Sequence, residues 1–272
     1  MELSEKILQN HDKIREYLHC GYVNWDSLIE KIDRQERCSY DDFLDEQIWT
    51  FIVACGYAIA GKEGLKKLCS ILTNRTDLLT EKIWFEVLPS SPRKREGATH
   101  LDLAIGDICV RKGTESGIEL KNHKESSWIA FCKMKWYSDI SYNVSYDQQR
   151  NQLARVIENA LFFEQENNFA KEVFVNLVTP KIFKETSNKS RLYCYKFREY
   201  DENPKNTLVN DLLNCELAFK RENFESLIQE RISTLRLEWT TFDLLFDLIP
   251  ESDISNEIKE FEMKYNKAKL NS

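Results

Sequence analysis

The sequence predicts an α/β protein whose core is a mixed β-sheet, with helical additions at the N- and C-terminal ends. Apolar residues recur at helical spacing in the first part of the chain, strand-like segments follow, and a strand–helix–strand unit closes the central part. We therefore divide the chain into a helical region over residues 1–75, an α/β core over 76–200 and a mostly helical region over 201–272. The three regions together have the size of one large compact domain.

The N-terminal region is predicted to be helical. Its first two segments place apolar residues on one helix face, namely Leu3, Ile7, Ile14, Leu18 and then Trp25, Leu28, Ile29, Ile32. A strongly apolar helix is expected from Ile48 to Ala60, ending at Gly61, and a shorter one from Gly64 to Leu72. Since no group of catalytic side chains stands out, we expect a helical cap or a layer that binds a protein partner.

The central region has the branched and aromatic segments that are typical of strands. We predict strands over 83–88, 100–111 with a bend at Gly106, 117–121 and 128–135. A helix with one apolar face follows over 148–167, and then a continuous apolar strand over 173–179. The last strand of the first set, the helix and this apolar strand form a βαβ unit, for which a right-handed crossover is expected.

The C-terminal region is predicted to be mostly helical and acidic. It carries 15 acidic and 9 basic residues from Asp201 to Ser272. The aromatic-rich stretch over 235–246 is compatible with one added strand.

Composition excludes several classes of protein. Hydrophobic residues make up 42% of the 272 residues and the net charge is −7, which argues against a disordered chain and against an unselective polycation. The eight Cys form no CxxC pair and the four His lack zinc-ligand spacing, so a structural zinc site is not expected. A charged N-terminus and the lack of long apolar runs indicate a cytoplasmic protein without a membrane span.

Polar side chains are concentrated near the ends of the central strands. Asp102 interrupts an apolar strand, which is costly unless the carboxylate is paired or binds a metal. Lys133 and Lys135 are two positions apart on a strand and so point to the same face, while Gln152 and Arg155 share a face of the following helix. We expect these five side chains to converge at one edge of the sheet.

This order of elements resembles the PD-(D/E)XK nuclease superfamily over Glu96 to Thr179. The resemblance implies a core of the restriction-endonuclease-like type and Mg²⁺- or Mn²⁺-dependent hydrolysis of phosphodiesters in DNA or RNA. It also suggests a place in prokaryotic restriction or anti-phage defence. Carried over to this chain, it makes Asp102 the first metal ligand and Lys135 the motif lysine, with Lys133 and Gln152 in the same catalytic group.

The chain departs from the family pattern at Lys133, where the family has Asp or Glu. Two unit charges about 4 Å apart interact by about 4 kcal/mol at an effective dielectric constant of about 20, so an ammonium there opposes a metal ion. We therefore expect weak or absent metal binding and impaired catalysis in this chain. A second acid-x-Lys triplet, Glu119-Leu120-Lys121 with Asp107 upstream, is an alternative position for the motif.

Basic residues are locally enriched around the predicted site. The segment from Arg93 to Lys135 has a charge of +3 within an acidic chain, which favours phosphate contact at one place. The residues expected to contact nucleic acid are Arg93, Lys94, Arg95 and Arg155. Two hypotheses remain beside the nuclease: a catalytically inactive module of the same fold that binds nucleic acid or a partner protein, and an interaction module built on the helical ends.

Overall fold

A mixed sheet runs through the centre of the protein in the computed structural model, which describes residues 1–38, 43–97, 99–121, 126–140, 151–185 and 191–266. Helices and a short strand precede the main strands: α1 (Leu3–Gln9), α2 (His11–Tyr17), β1 (Leu18–Cys20), α3 (Trp25–Cys38), α4 (Glu46–Ile59) and α5 (Gly61–Thr73). The central part contains β2 (Ile83–Pro89), β3 (Leu101–Gly106), β4 (Ile108–Val110), β5 (Gly117–Leu120), β6 (Trp128–Met134) and α6 (Gln152–Leu161).

A small hairpin and the last strands follow α6. These elements are β7 (Glu164–Gln165), β8 (Asn168–Phe169), β9 (Glu172–Thr179), α7 (Lys181–Glu185), α8 (Leu192–Glu202), a π-helical turn (Pro204–Leu208) and α9 (Val209–Leu213). The chain then forms α10 (Phe224–Arg231), a 3₁₀ turn (Ile232–Thr234), β10 (Leu235–Thr241), α11 (Phe242–Asp247) and α12 (Ser255–Tyr265).

The main sheet has the strand order β10-β9-β6-β3-β2-β5-β4, and β1 also pairs with β2. Strand β3 is antiparallel to both of its neighbours, β2 and β6. Strand β9 is parallel to both of its neighbours, β6 and β10. The connection from β6 through α6 to β9 is therefore a crossover between parallel strands, as the sequence predicts. The expected mixed α/β architecture is confirmed.

Each face of the sheet is covered by a separate hydrophobic cluster. The helices α1 to α5 pack on one face together with α11 and α12, so residues from both ends of the chain share this cluster. The opposite face is covered by α6 and α8 to α10. β6 contributes Cys132 and Met134 to the first cluster and Phe131 to the second, as strand alternation requires. Lys133 therefore lies on the α6 side of the sheet.

Two predicted elements, the strand over 100–111 and the helix over 148–167, end earlier in the structure than the sequence predicts. The strand expected over 100–111 is broken after Gly106, whose φ of 127° is unsuited to other residues and where an added Cβ would lie 2.5 Å from the Trp128 carbonyl oxygen. The helix expected over 148–167 ends at Leu161, and its positions up to 150 lie outside the described residues. Beyond Leu161 the chain forms the β7–β8 hairpin in place of the last turns of the predicted helix. Its turn residues Glu166 and Asn167 adopt positive φ, which a helix does not allow.

Strand β1 was not predicted, and Leu18, which the spacing places on a helix face, is its first residue. Its three residues pair in parallel with the first half of β2, between two segments that are correctly predicted as helical. Within the described ranges, every helix is too short or too polar to cross a membrane.

Candidate functional site

Asp102 and Lys133 form a buried ion pair across β3 and β6. The register pairs Leu103 with Cys132, so Asp102 and Lys133 are the next facing residues along the two antiparallel strands. The ammonium nitrogen of Lys133 lies 2.7 Å from each carboxylate oxygen of Asp102, and the Met134 backbone N–H donates to Oδ2 at 2.7 Å. Both oxygens of Asp102 are thus occupied by donors of the protein itself.

The pKa of Lys133 reflects two opposing influences. Burial alone lowers this pKa, but the carboxylate of Asp102, followed by that of Glu46, outweighs burial and raises it above the ordinary value. Lys133 is therefore an ammonium ion at neutral pH, where it is paired with Asp102.

Lys135 is held by Glu46, the first residue of α4. Its Nζ lies 3.3 Å from Glu46 Oε1, while the Trp136 N–H and the Ser138 hydroxyl donate to Glu46 Oε2 at 3.0 and 2.6 Å. Burial, and then the positive charge of Lys133, lower the pKa of Lys135. The two lysines therefore share a face but differ in partner: one is bound to a strand acid, the other to a helix acid.

Glu86 on β2 is a third acid near the two lysines, and it is buried. It lies opposite Asp102 in the β2–β3 register, between the pairs Phe85–Leu103 and Val87–Leu101. Its Oε1 accepts a hydrogen bond of 3.1 Å from Gln47 Nε2. Burial and the nearby charge of Asp102 raise its pKa to about 7.

Sequence reasoning missed Glu46 and Glu86 for different reasons. Glu86 interrupts an apolar strand in the same way as Asp102, so the same signal could have identified it. Glu46 gives no local signal, because an acid in the first turn of a helix is an ordinary feature of helices. Only the packing of α4 against the sheet brings it to the lysines.

Of the two residues predicted on α6, Arg155 has contacts that place it at the loop before β3. Arg155 Nε is 3.2 Å from Glu96 Oε1, and its Nη2 donates to the Gly97 carbonyl at 3.0 Å, so Arg155 binds the loop that precedes β3. At the same loop, burial and then the charges of Lys133 and Arg155 lower the pKa of His100, against an opposing effect of Asp102. Gln152 is half-buried at the start of α6, and its part in the site stays a prediction.

Arg93 requires a correction: it does not form part of a surface that contacts nucleic acid. Its side chain is fully buried, its Nε lies 3.0 Å from both oxygens of Glu158, and its guanidinium stacks 3.8 Å above the Phe219 ring. The sequence predicts that Arg93 contacts nucleic acid, but the buried carboxylate of Glu158 on α6 holds its guanidinium inside the protein. Lys94 and Arg95 are exposed, and their contact with nucleic acid stays a prediction.

The side chains of the alternative acid-x-Lys triplet and of Asp107 each bind a different partner. Glu119 accepts a hydrogen bond of 2.9 Å from Gln165, and Lys121 pairs with Glu81 at 2.6 Å. The Asp107 carboxylate accepts the Trp128 N–H at 3.1 Å, at the break between β3 and β4. Each of the three side chains therefore has a partner outside the triplet.

The residues present do not fit a Mg²⁺ ion. Magnesium needs several oxygen ligands at about 2.0–2.1 Å, and here the Lys133 ammonium lies where such a cation would meet Asp102. In the described part of the chain, no group of three His, Cys, Asp or Glu side chains is placed to hold a metal ion. What the site offers instead is a charge-balanced set of acids and lysines at the end of β6.

Comparisons of this chain with models of protein families, with curated proteins and with solved structures find no match.

Proposed function

We propose that this chain is a nuclease-type protein of the PD-(D/E)XK pattern whose metal position is blocked by Lys133, so that it binds DNA or RNA without cleaving it. The observation that carries this proposal is the contact of 2.7 Å between the Lys133 ammonium and both oxygens of Asp102. The order β3, β6, α6, β9 supports it, because the pattern places a carboxylate strand before the acid-x-Lys strand and a crossover helix after it.

The blocked state is stable for a physical reason. Breaking a buried ion pair leaves two desolvated charges, which costs several kcal/mol. A divalent cation would have to displace an ammonium that has its counter-charge and then find further ligands, but Glu46 is bound by Lys135, Trp136 and Ser138. The protein as it stands therefore retains a charge-balanced polar site that lacks the means to activate water, and the basic residues left for phosphate contact are the exposed Lys94 and Arg95 of the loop before β3.

The test is to place an acid at position 133, where the family pattern has Asp or Glu. We expect the chain as given to show no metal-dependent cleavage of mixed DNA and RNA substrates, and Lys133→Glu to gain both Mn²⁺ binding and EDTA-sensitive cleavage. Metal-activated water accounts for a large part of the rate in such reactions, so the gain should exceed tenfold over the background. Lys133→Glu/Lys135→Ala should lose it again.

A matched control separates the site from a general change of charge. Lys112→Glu makes the same change at an exposed turn between β4 and β5, and should leave the chain inactive. Robust EDTA-sensitive cleavage by the unmodified chain would contradict the proposal and favour the Glu119 triplet. No activity from Lys133→Glu on any substrate, with the protein folded, would contradict a metal position blocked by Lys133 and would favour a module that binds a partner protein.

A further inference from the structure

A cavity of about 550 Å³ lies away from the ion pairs, between β5, the β7–β8 hairpin and the segment before α10. Its apolar lining comes from Ile118, Phe162, Phe163 and Phe224. Its charged lining comes from Glu119, Glu164, Glu166, Lys220 and Arg221, three acids and two bases. This size and mixture are those of a small-molecule pocket.

Both basic side chains of the cavity already have acceptors. Lys220 Nζ donates to the Ser91 carbonyl at 2.6 Å, and Arg221 donates to Asn167 Oδ1 at 2.9 Å and to Glu164 Oε1. A phosphate or carboxylate entering the cavity would have to compete with these bonds. The lining therefore does not favour an anion.

The groups that lack partners are acceptors. Glu164 Oε2 and Gln165 Oε1 are buried oxygen atoms without a hydrogen-bond partner among the described residues. The orientation of the Gln165 amide is fixed, because its Nε2 donates to the carboxylate of Glu119, which can only accept. An unsatisfied buried acceptor destabilises the protein, and a ligand that supplies donors would remove this cost.

We infer that this cavity binds a small organic cation with a planar, donor-rich head, of the guanidinium or amidinium class. N–H groups of such a ligand can serve the unpartnered acceptors Glu164 Oε2 and Gln165 Oε1, which both belong to lining residues, and the excess of acids in the lining compensates the positive charge. The phenylalanine rings offer the apolar and cation–π contacts that suit the rest of the ligand. Glu164 lines the cavity and its side chain is 29% exposed, although its Oε2 atom is buried.

Matched ligands test the inference by calorimetry on the full chain. We expect benzamidine to bind with a dissociation constant below about 1 mM, and at least tenfold more tightly than benzamide, which has the same shape without the charge. Agmatine and a short peptide with an internal arginine carry the same head group. Tighter binding of agmatine would indicate a free small molecule as the ligand, and tighter binding of the peptide would indicate an arginine of another chain.

Variants locate the binding. Glu164→Gln and Gln165→Leu should each weaken benzamidine binding at least fivefold, while Glu166→Gln, which removes the same charge from an exposed lining residue, should change it less than twofold. Should a variant fail to fold, the ligand series on the unmodified chain still decides the matter. Equal binding of benzamidine and benzamide, tighter binding of inorganic phosphate, or no binding by any of the cations would overturn the inference.

Discussion

The carboxylate of Glu46 accepts a hydrogen bond from Lys135 at 3.3 Å, although 89 positions separate them in the chain. The same carboxylate binds the Trp136 N–H and the Ser138 hydroxyl, so the first turn of α4 holds the whole segment that follows β6. Asp45 caps α4 by accepting from the backbone N–H groups of Gln47 and Ile48, which fixes the direction of Glu46. The N-terminal helical layer is therefore part of the site.

The first prediction concerns Glu46→Ala. This change leaves the buried Lys135 ammonium and the Trp136 N–H without their acceptor, so we expect a loss of about 1–3 kcal/mol in the free energy of unfolding. Urea denaturation measures it. Glu30→Ala, which removes an exposed i,i+4 pair with Arg34, should cost less than about 0.5 kcal/mol. Similar losses for the two variants would mean that Glu46 does not hold this segment in solution.

The second prediction tests the Asp102–Lys133 pair by a double-mutant cycle. Lys133→Met leaves a buried carboxylate without its counter-charge, and we expect a cost of about 3–5 kcal/mol. Asp102→Asn keeps an acceptor for the Met134 N–H but removes the charge. The double variant should be more stable than the sum of the two single losses by more than about 1 kcal/mol, because the residues are in contact. Strict additivity would show that the pair is absent in solution, and would remove the basis of the proposed block.

The sequence was informative where the pattern is local. Strand alternation puts Lys133 and Lys135 on one face, and an acid within an apolar strand marks Asp102, so their proximity follows once β3 and β6 are neighbours. What could not be predicted depends on distant partners. The buried position of Arg93 depends on its pairing with Glu158, which is 65 positions away in the chain. Strand β1 has only three residues, too few to give a periodic signal of its own.

The third prediction concerns pH and Glu86. Burial and the charge of Asp102 raise the pKa of Glu86 to about 7 in the folded protein, above its value in the unfolded chain. Between these two values the folded state binds more protons, so this residue makes the protein less stable as pH rises from about 4.5 through about 7. Glu86→Gln removes this effect while retaining an acceptor for Gln47. The variant should therefore gain about 1–3 kcal/mol relative to the unmodified chain over that range.

Unfolding by urea at a series of pH values measures this difference. The exposed Glu225→Gln serves as the control, and its stability should follow that of the unmodified chain at every pH. A constant difference between Glu86→Gln and the unmodified chain from pH 4.5 to 7.5 would show that Glu86 titrates as an exposed carboxylate.

The last prediction separates the basic residues of the loop before β3 by their burial. Lys94 and Arg95 are exposed, so if they contact phosphates, Lys94→Ala/Arg95→Ala should weaken nucleic-acid binding and reduce the slope of log K against log salt by about 1–2. Lys62→Ala/Lys66→Ala removes the same charge from exposed positions on α5 and should leave the slope unchanged. Arg93→Met should lower stability, through the loss of its pairing with Glu158, without changing the slope in protein that remains folded. Fluorescence anisotropy with labelled DNA and RNA at several salt concentrations gives these slopes, and an equal effect of both double variants would mean that the loop makes no specific phosphate contact.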